Sequence, residues 1–297
     1  MISFCQQHTV HKMPGTQEES MSVITVTGAN GHLGRLVIQH LLDKGVEPAN
    51  LRASVRDVAK AADLKARGLD VRHGDYDDPA SLHSAFAGSD ALLIISTDQV
   101  GKRIPQHLNA VRAAREAGVK HVAYTSLVKA VIDPKTGAEA PLAVEHRATE
   151  KAIFESGMPY TILRNSFYSE FLIGPVLQTL ASGVYRSSVG DVPLGCAPRT
   201  DYAEATAEVL LQPGHENHVY ELTAPQAWTL AAAVQVIRRV SGKPFHYESA
   251  ADAPGSEGMN PLIRAGMLSL VAPDLEKLLG HPIIPLEEQV RTLLKVS

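Results

Sequence analysis

Cysteine is almost missing from this chain. Cys5 and Cys196 are its only two thiols among 297 residues, and they lie too far apart in sequence to have metal-ligand spacing or to start a disulfide framework. That usage suits a reducing compartment, so a cytoplasmic protein with no bound metal is expected. Long apolar runs are also absent. The longest aliphatic run, Ala91 to Ile95, is the length of a strand and far short of a membrane span, which speaks against a membrane partner. No block of basic residues occurs and the formal net charge is −4, so nothing invites a nucleic-acid backbone or an anionic lipid surface. Residues 1–20 are polar and lack the apolar core of a signal peptide, so they read as a disordered tail, and Met21 is an alternative start. There are no internal repeats. Tryptophan occurs once, at Trp228, where core packing beside a Thr229 helix cap is the simplest reading.

What is present is a chain with 44% hydrophobic and 20% charged residues, enough to bury a large core and too long for one minimal domain. One large domain with a smaller appendage fits. The most informative stretch is VITVTGANGHLG, Val23 to Gly34. A β-branched run suited to a buried parallel strand breaks into glycines at Gly28, Gly31 and Gly34, and Leu33, Val37, Ile38, Leu41 and Leu42 then recur at helical spacing. Glycines at such a junction let the backbone turn tightly, approach a pyrophosphate and pack helix on strand, while the helix N-terminus offers free N–H groups to the anion. The spacing is G-x-x-G-x-x-G, which differs from the strict dinucleotide fingerprint, and turns use glycine routinely. It is the order of strand, glycines and helix that points to a dinucleotide held by Gly28, Asn30, Gly31, His32, Leu33 and Gly34.

The second strand, Leu51 to Val55, decides which dinucleotide. NAD binders place an acid near its end. Here Arg56 follows, with Lys60 a helical turn later, and two cations facing one phosphate favour NADPH. Asp57, next door, could instead reach a ribose, with the two cations simply solvated. Further strands are predicted at Leu69 to Arg72, Ala91 to Ile95, His121 to Thr125 and Tyr160 to Leu163, with helical patterns between them such as Ile104, Leu108, Val111 and Ala148, Ala152. This is the signature of an α/β, Rossmann-like, doubly wound parallel sheet. Its ligands collect at the carboxyl ends of the strands, which places Asp75, Tyr76, Ser96, Thr97, Thr125 to Leu127 and Arg164 to Tyr168 around the site. Asp75 has an adenine amino group or a turn as its two possible partners.

After Gln212 the texture changes. HVYEL, a helix from Thr229 to Val240 and FHYES predict a strand, a helix and a strand; Ala250 to Pro261 is rich in small residues and reads as a flexible connection. Helices are expected at Leu262 to Val271, Pro273 to Leu279 and Leu286 to Lys295. The expected division is a cofactor domain over 21–165, with 200–212 returning to it, and a smaller α/β substrate lobe from 166–199 and 213–297.

Several stretches resemble one family: TGANGHLG, VRDVAK, HGDYDD, RIPQHLNAVRAAREAGV, AYTSL, EHRATEKAIFESGMPYTILRNSFYSE, RTDYAEA, AWTL and DLEKLLGHP. They are similar to the atypical short-chain dehydrogenase/reductases of the NmrA-like group, above all to its NADPH-dependent quinone reductases. The likeness runs from Met21 to the C-terminus and departs between Tyr247 and Asp274, where relatives carry a longer helical segment. It implies NADPH as cofactor, a quinone or similar small electrophile as substrate and a cytosolic redox role, with a homo-oligomer possible. Carbonyl-reducing members of the wider superfamily use Ser, Tyr and Lys; the matching places here hold Leu127, Leu142 and His146. A ketone needs a proton donor beside the developing alkoxide, whereas a quinone yields a hydroquinone anion of much lower basicity, so the substitution favours quinone chemistry. The resemblance implies that His146 binds the nicotinamide ribose, with Glu150 one turn along the same helix face. It also puts Asn165, Phe167 and Tyr168 against the substrate. The catalytic set expected is therefore Asn165, Tyr168 and His146, although Phe167 and Tyr168 could equally seal the two lobes. Because the hydroxyl acid is missing, a redox sensor that binds NADP(H) without turnover is the other reading.

Overall fold

The computed structural model describes residues 22–128, 140–251 and 260–296. The expected tail at 1–20, Cys5 and most of the connection at 250–261 lie outside them. In chain order the elements are β1 (Ile24–Thr27), α1 (His32–Asp43), β2 (Leu51–Val55), α2 (Ala62–Ala66), β3 (Asp70–His73), α3 (Pro79–Phe86), β4 (Ala91–Ile94), α4 (Arg103–Glu116), β5 (His121–Leu127) and α5 (Pro141–Glu155). There follow β6 (Tyr160–Asn165), α6 (Ser169–Gln178), β7 (Val184–Ser187), α7 (Arg199–Leu211), β8 (His218–Leu222), α8 (Leu230–Ser241), β9 (His246–Ser249), α9 (Asn260–Arg264), α10 (Asp274–Leu279) and α11 (Leu286–Leu294).

Seven strands form one parallel sheet in the order β3-β2-β1-β4-β5-β6-β8. The order reverses between β1 and β4, which opens a crevice at their carboxyl ends. Alternation along each strand divides the core. Leu93, Ala123 and Leu163 face α1, α7 and α10, whose Val37, Ile38, Tyr202, Ala205 and Leu275 complete that layer. Leu92, Ile94, Val122, Tyr124 and Ile162 face α3, α4 and α5 on the other side. Both faces are covered, which is why these strands read as continuous apolar runs.

The chain beyond β6 departs from its expected assignment. HVYEL, expected in the smaller lobe, is β8 of the main sheet, paired with β6 from Thr161–His218 to Asn165–Leu222. α7, lying against α1, returns the chain in a crossover that sets β8 parallel to β6, and Tyr220 and Leu222 then join the main core. α10 also belongs to that core through Leu275 and Leu279. The smaller lobe proper is built on the parallel β7–β9 ribbon, α6, α8 and α11, around Ile173, Val176, Leu194, Val234, Ile237 and Val290. α9 is shorter than the expected 262–271 helix, since Gly266 turns the chain at φ 77°. A fourth cluster joins the lobes. Leu127, Val128, Ala140 and Ala143 pack with Leu262, Met267 and Leu270.

Candidate active site

At the glycine turn, Gly28 takes φ 57° and its carbonyl accepts from Gly31 N–H at 2.8 Å. A Cβ at Gly34 would stand 2.6 Å from the Gly28 oxygen and 2.8 Å from the Ala29 Cα, so only glycine lets α1 approach β1 this closely. No side chain among the described residues caps α1 at Gly31, which leaves the amide end of a twelve-residue helix for an anion. Leu33 is buried in the core, so only its backbone faces the crevice, whereas His32 is exposed. The donor set fits a dinucleotide pyrophosphate. Asn30 reaches across the turn, giving its amide N–H to the Asp57 carbonyl at 3.3 Å.

Arg56 and Lys60 stand exposed after β2. The Arg56 guanidinium has no partner among the described residues. The Asp57 carboxylate accepts from Ala59 N–H at 3.0 Å and pairs with Lys60 at 3.6 Å, so it caps a short helix and is not held toward a ribose. Asp75 adopts the turn role: its Oδ1 accepts from Asp77 N–H at 3.0 Å. The Tyr76 hydroxyl sits beneath the glycine turn, 2.6 Å from Thr27 Oγ1 and donating to the Ile95 carbonyl at 3.0 Å, and burial raises its pKa. Tyr76 therefore fixes β1 to β4 and has no hydroxyl to spare for a cofactor.

Past β4 the backbone is held from the other strands. Ser96 N–H donates to Thr125 Oγ1 at 2.9 Å, Thr97 N–H to His107 Nε2 at 3.1 Å, and the Thr97 hydroxyl to Gln106 at 3.0 Å. His146 lies on α5 as expected, yet both its nitrogens are engaged: Arg103 Nη1 donates to Nε2 at 3.1 Å and Nδ1 meets the Tyr124 hydroxyl at 2.8 Å. These partners put the imidazole proton on Nδ1. Burial and the Arg103 charge push His146 down to about 3, and the same causes hold His107 at about 4, so both are neutral near pH 7. For His146 to take a ribose hydroxyl, one of its two bonds must be exchanged. Arg103 and Glu145 are both buried, their charged ends 3.9 Å apart, and Glu145 also accepts from Gly101 N–H at 2.6 Å, tying the start of α4 to α5.

Glu150, one turn after His146, does not point to a ligand. It accepts from Arg164 at 2.9 and 2.7 Å and from the Ser126 hydroxyl at 2.6 Å, and Arg164 also bonds Glu221 at 2.8 Å; Glu150 first and Glu221 after it hold the Arg164 pKa above its usual range. Ser126, Arg164 and Glu221 share one register row, so this network staples β5, β6 and β8 together.

Asn165 ends β6, opposite Leu127 of β5. It is only 4% exposed, and neither amide atom has a hydrogen-bond partner among the described residues. The Tyr168 phenol lies against that amide without a well-formed bond, and burial raises its pKa. Tyr168 packs on Tyr202 at 5.4 Å and under the Arg199 guanidinium at 4.8 Å, while Phe167 joins the core of the smaller lobe. Both aromatics thus seal the lobes, and the Tyr168 phenol also edges the site. Leu127 gives this corner carbon, while Leu142 lies half-buried in the first turn of α5. Trp228 donates its indole N–H to the Cys196 carbonyl at 2.9 Å, packs against the smaller core and lines a cavity of about 490 Å³ with Gln226, Glu276, Ile284 and Gln289.

Arg103, Gln106, His107 and Tyr124 were missed in the sequence. The signal was there: polar Gln106 and His107 fall on the inward face of α4, where periodicity demands carbon. Among the described residues no cluster of His, Cys, Asp and Glu suits a metal, and no helix is long and apolar enough to cross a membrane.

The chain is 39% identical to quinone oxidoreductase 2 of Escherichia coli over 93% of its own length and 100% of the relative's. A solved structure of the E. coli NADPH-dependent quinone oxidoreductase complexed with NADPH superposes with a TM-score of 0.82 at 40% identity, covering 91% of this chain and 99% of that one. Citrobacter sp. triphenylmethane reductase complexed with NADP(H) gives 0.83 at 39% identity, with coverage of 91% and 99%. An NAD(P)H azoreductase of Xenophilus azovorans is 29% identical over 84% of this chain and 86% of its own. The pattern of the NmrA-like family matches residues 20–254, so the chain belongs to the NmrA-like family.

Proposed function

We propose that this protein is an NADPH-dependent reductase that passes hydride to a quinone or a similar flat electrophile. The observation that carries this reading is the buried Asn165 amide at the carboxyl end of β6, unpaired among the described residues and bordered by Leu127 and the Tyr168 phenol. A buried amide without partners costs about 1–3 kcal/mol for each unsatisfied atom, and such a group is retained where a ligand completes it.

The chemistry follows from the residues around it. Gly28, Gly31, Gly34 and the start of α1 would hold the pyrophosphate, Arg56 and Lys60 the 2′-phosphate, and the Ser96–Thr97 backbone the nicotinamide side of the crevice. NADPH, when bound, supplies the hydride. Asn165 N–H and the Tyr168 phenol donate to the quinone oxygen on which negative charge grows, and Leu127 keeps water away. Hydride addition to a quinone leaves a hydroquinone monoanion, which takes its last proton from solvent; no resident acid is required. The neutral His146, fixed by Arg103 and Tyr124, positions α5 and is not the proton donor.

Mixing the protein with NADPH and a simple benzoquinone tests this: one NADPH should be consumed per quinone, far above the rate without protein. NADPH binding with no turnover of any quinone or dye would instead identify a sensor.

A further inference from the structure

Arg35 lies in the first turn of α1 and its guanidinium gathers acceptors from two separate segments. Its Nε donates to the Asn30 carbonyl at 3.3 Å and its Nη2 to the Asn30 side-chain oxygen at 3.1 Å, both on the glycine turn. The same Nη2 reaches the Lys60 carbonyl at 3.4 Å and Asp63 Oδ1 at 3.1 Å, both on the segment that follows β2. Asn30 adds a second tie, from its amide to the Asp57 carbonyl. The arginine thus stands where the pyrophosphate turn meets the segment bearing Arg56 and Lys60.

Three of its acceptors are neutral oxygens, which orient the guanidinium without cancelling its charge. Among the described residues the charge is met only by Asp63, whose side chain is 57% exposed. Asp63 meets the fork with both oxygens, Oδ2 on Nη1 and Oδ1 on Nη2, but water reaches both partners and screens the pair, so a stronger anion can take its place. A phosphate dianion carries more charge and offers the same planar fork two oxygens.

Resting on the reading that the 2′-phosphate lies beside Arg56 and Lys60, we infer that Arg35 is a specificity-determining residue for it, exchanging Asp63 for the phosphate when the dinucleotide binds. Asp63 is the placeholder that keeps the guanidinium aimed before binding. The adenine–ribose end without its phosphate gains nothing from this exchange, so Arg35 sets the preference for the phosphorylated dinucleotide.

The experiment titrates the intact protein with 2′,5′-ADP and with ADP, which differ only by the phosphate in question. Arg35→Gln should weaken 2′,5′-ADP by about tenfold or more and ADP by less than about twofold. An equal loss of both, or no loss of either, would make Arg35 a structural tie or a bystander and overturn the inference. Asp63→Asn keeps the cation and removes its placeholder, so 2′,5′-ADP should bind at least as tightly as to the unaltered protein. A loss there matching Arg35→Gln overturns the inference even if Arg35→Gln folds poorly. Arg56→Gln separates the two readings. Loss of phosphate preference in Arg56→Gln alone leaves the phosphate site standing and rejects Arg35; loss in Arg35→Gln alone supports Arg35 and removes Arg56 from the site; loss in neither rejects both.

Discussion

Replacing Asn165 by leucine should make the protein more stable and less active at once. The two side chains share a branched outline and a heavy-atom count, but the leucine methyl groups are bulkier than the planar Oδ1 and Nδ2 atoms they replace, which takes back about 1–3 kcal/mol in a packed site. Both atoms are buried and unpaired among the described residues, and each such atom costs about 1–3 kcal/mol. Leucine removes that cost and adds apolar burial opposite Leu127, while the Tyr168 phenol loses the amide it faces. The net expectation is about 1–4 kcal/mol of stabilisation. At about 2–4 °C per kcal/mol for domains approaching this size, the melting temperature should rise by about 2 °C or more. Catalysis moves the other way, because the donor to the developing oxyanion is gone. Loss of one such donor typically lowers kcat by about 10²–10³. A hydroquinone anion needs less help than a tetrahedral intermediate, so a loss of about ten- to a hundredfold, about 1.4–2.7 kcal/mol, is expected here. NADPH affinity should change by less than about twofold, since the contact is to the acceptor. Denaturant unfolding, NADPH titration and steady-state benzoquinone reduction on one preparation decide it. A less stable variant with full turnover would refute the reasoning, because it would mean that the amide serves the fold.

Arg56→Asp should weaken NADPH by about ten- to 150-fold, the worth of a charge-assisted contact of about 1.5–3 kcal/mol, and leave NADH little changed, as fluorescence titration of the two cofactors would read. Glu150→Gln breaks the paired contact with Arg164 and should cost about 2–4 kcal/mol in urea unfolding, below the full value for a buried pair because Glu221 still holds the arginine. Acid should destabilise the protein before ordinary carboxylates titrate. His107 and His146 have folded values of about 4 and about 3, below their ordinary value, so the unfolded chain takes up protons the folded chain refuses, and stability is lost as pH falls through about 6.5. Asp201, raised by burial to about 6, acts in the opposite sense: its contribution is lost as pH rises toward that value. Between about pH 6 and pH 4 two imidazoles outweigh one carboxyl, for a net loss of about 1.4 kcal/mol per unit of acidification. Urea midpoints across that range would measure it, and a flat profile would refute the buried neutral histidines.

The parts of this molecule legible in the sequence are those decided locally. The strand–glycine–helix unit at 23–34 was readable because each residue there answers to its immediate neighbours, and the parallel strands because burial on both faces makes them continuously apolar. Asn165 was singled out from its place just past the strand expected at 160–163, which runs on to include it. The location of β8 was not legible, since HVYEL fits an edge strand in either lobe and only the return through α7 decides between them. The buried polar chain from Thr97 through His107 and from Arg103 through His146 to Tyr124 joins three elements distant in sequence, so no single window displays it. His146 shows the difference well. Its position on α5 could be counted, but that both its nitrogens are engaged depends on α4 and β5. Arg35 escaped for a like reason, since its acceptors come from two segments that only the fold brings together.

On the proposed function, this protein itself moves hydride from NADPH to a quinone in a shaped site. Benzoquinone reduction with each of the two C4-deuterated NADPH diastereomers tests it most directly, because a cofactor fixed against the sheet presents a single face. Rapid oxidation is expected, with deuterium lost and a kinetic isotope effect seen for one diastereomer only, and negligible turnover of a simple ketone under the same conditions. No oxidation above the protein-free rate, equal loss from both diastereomers, or efficient ketone reduction would contradict it.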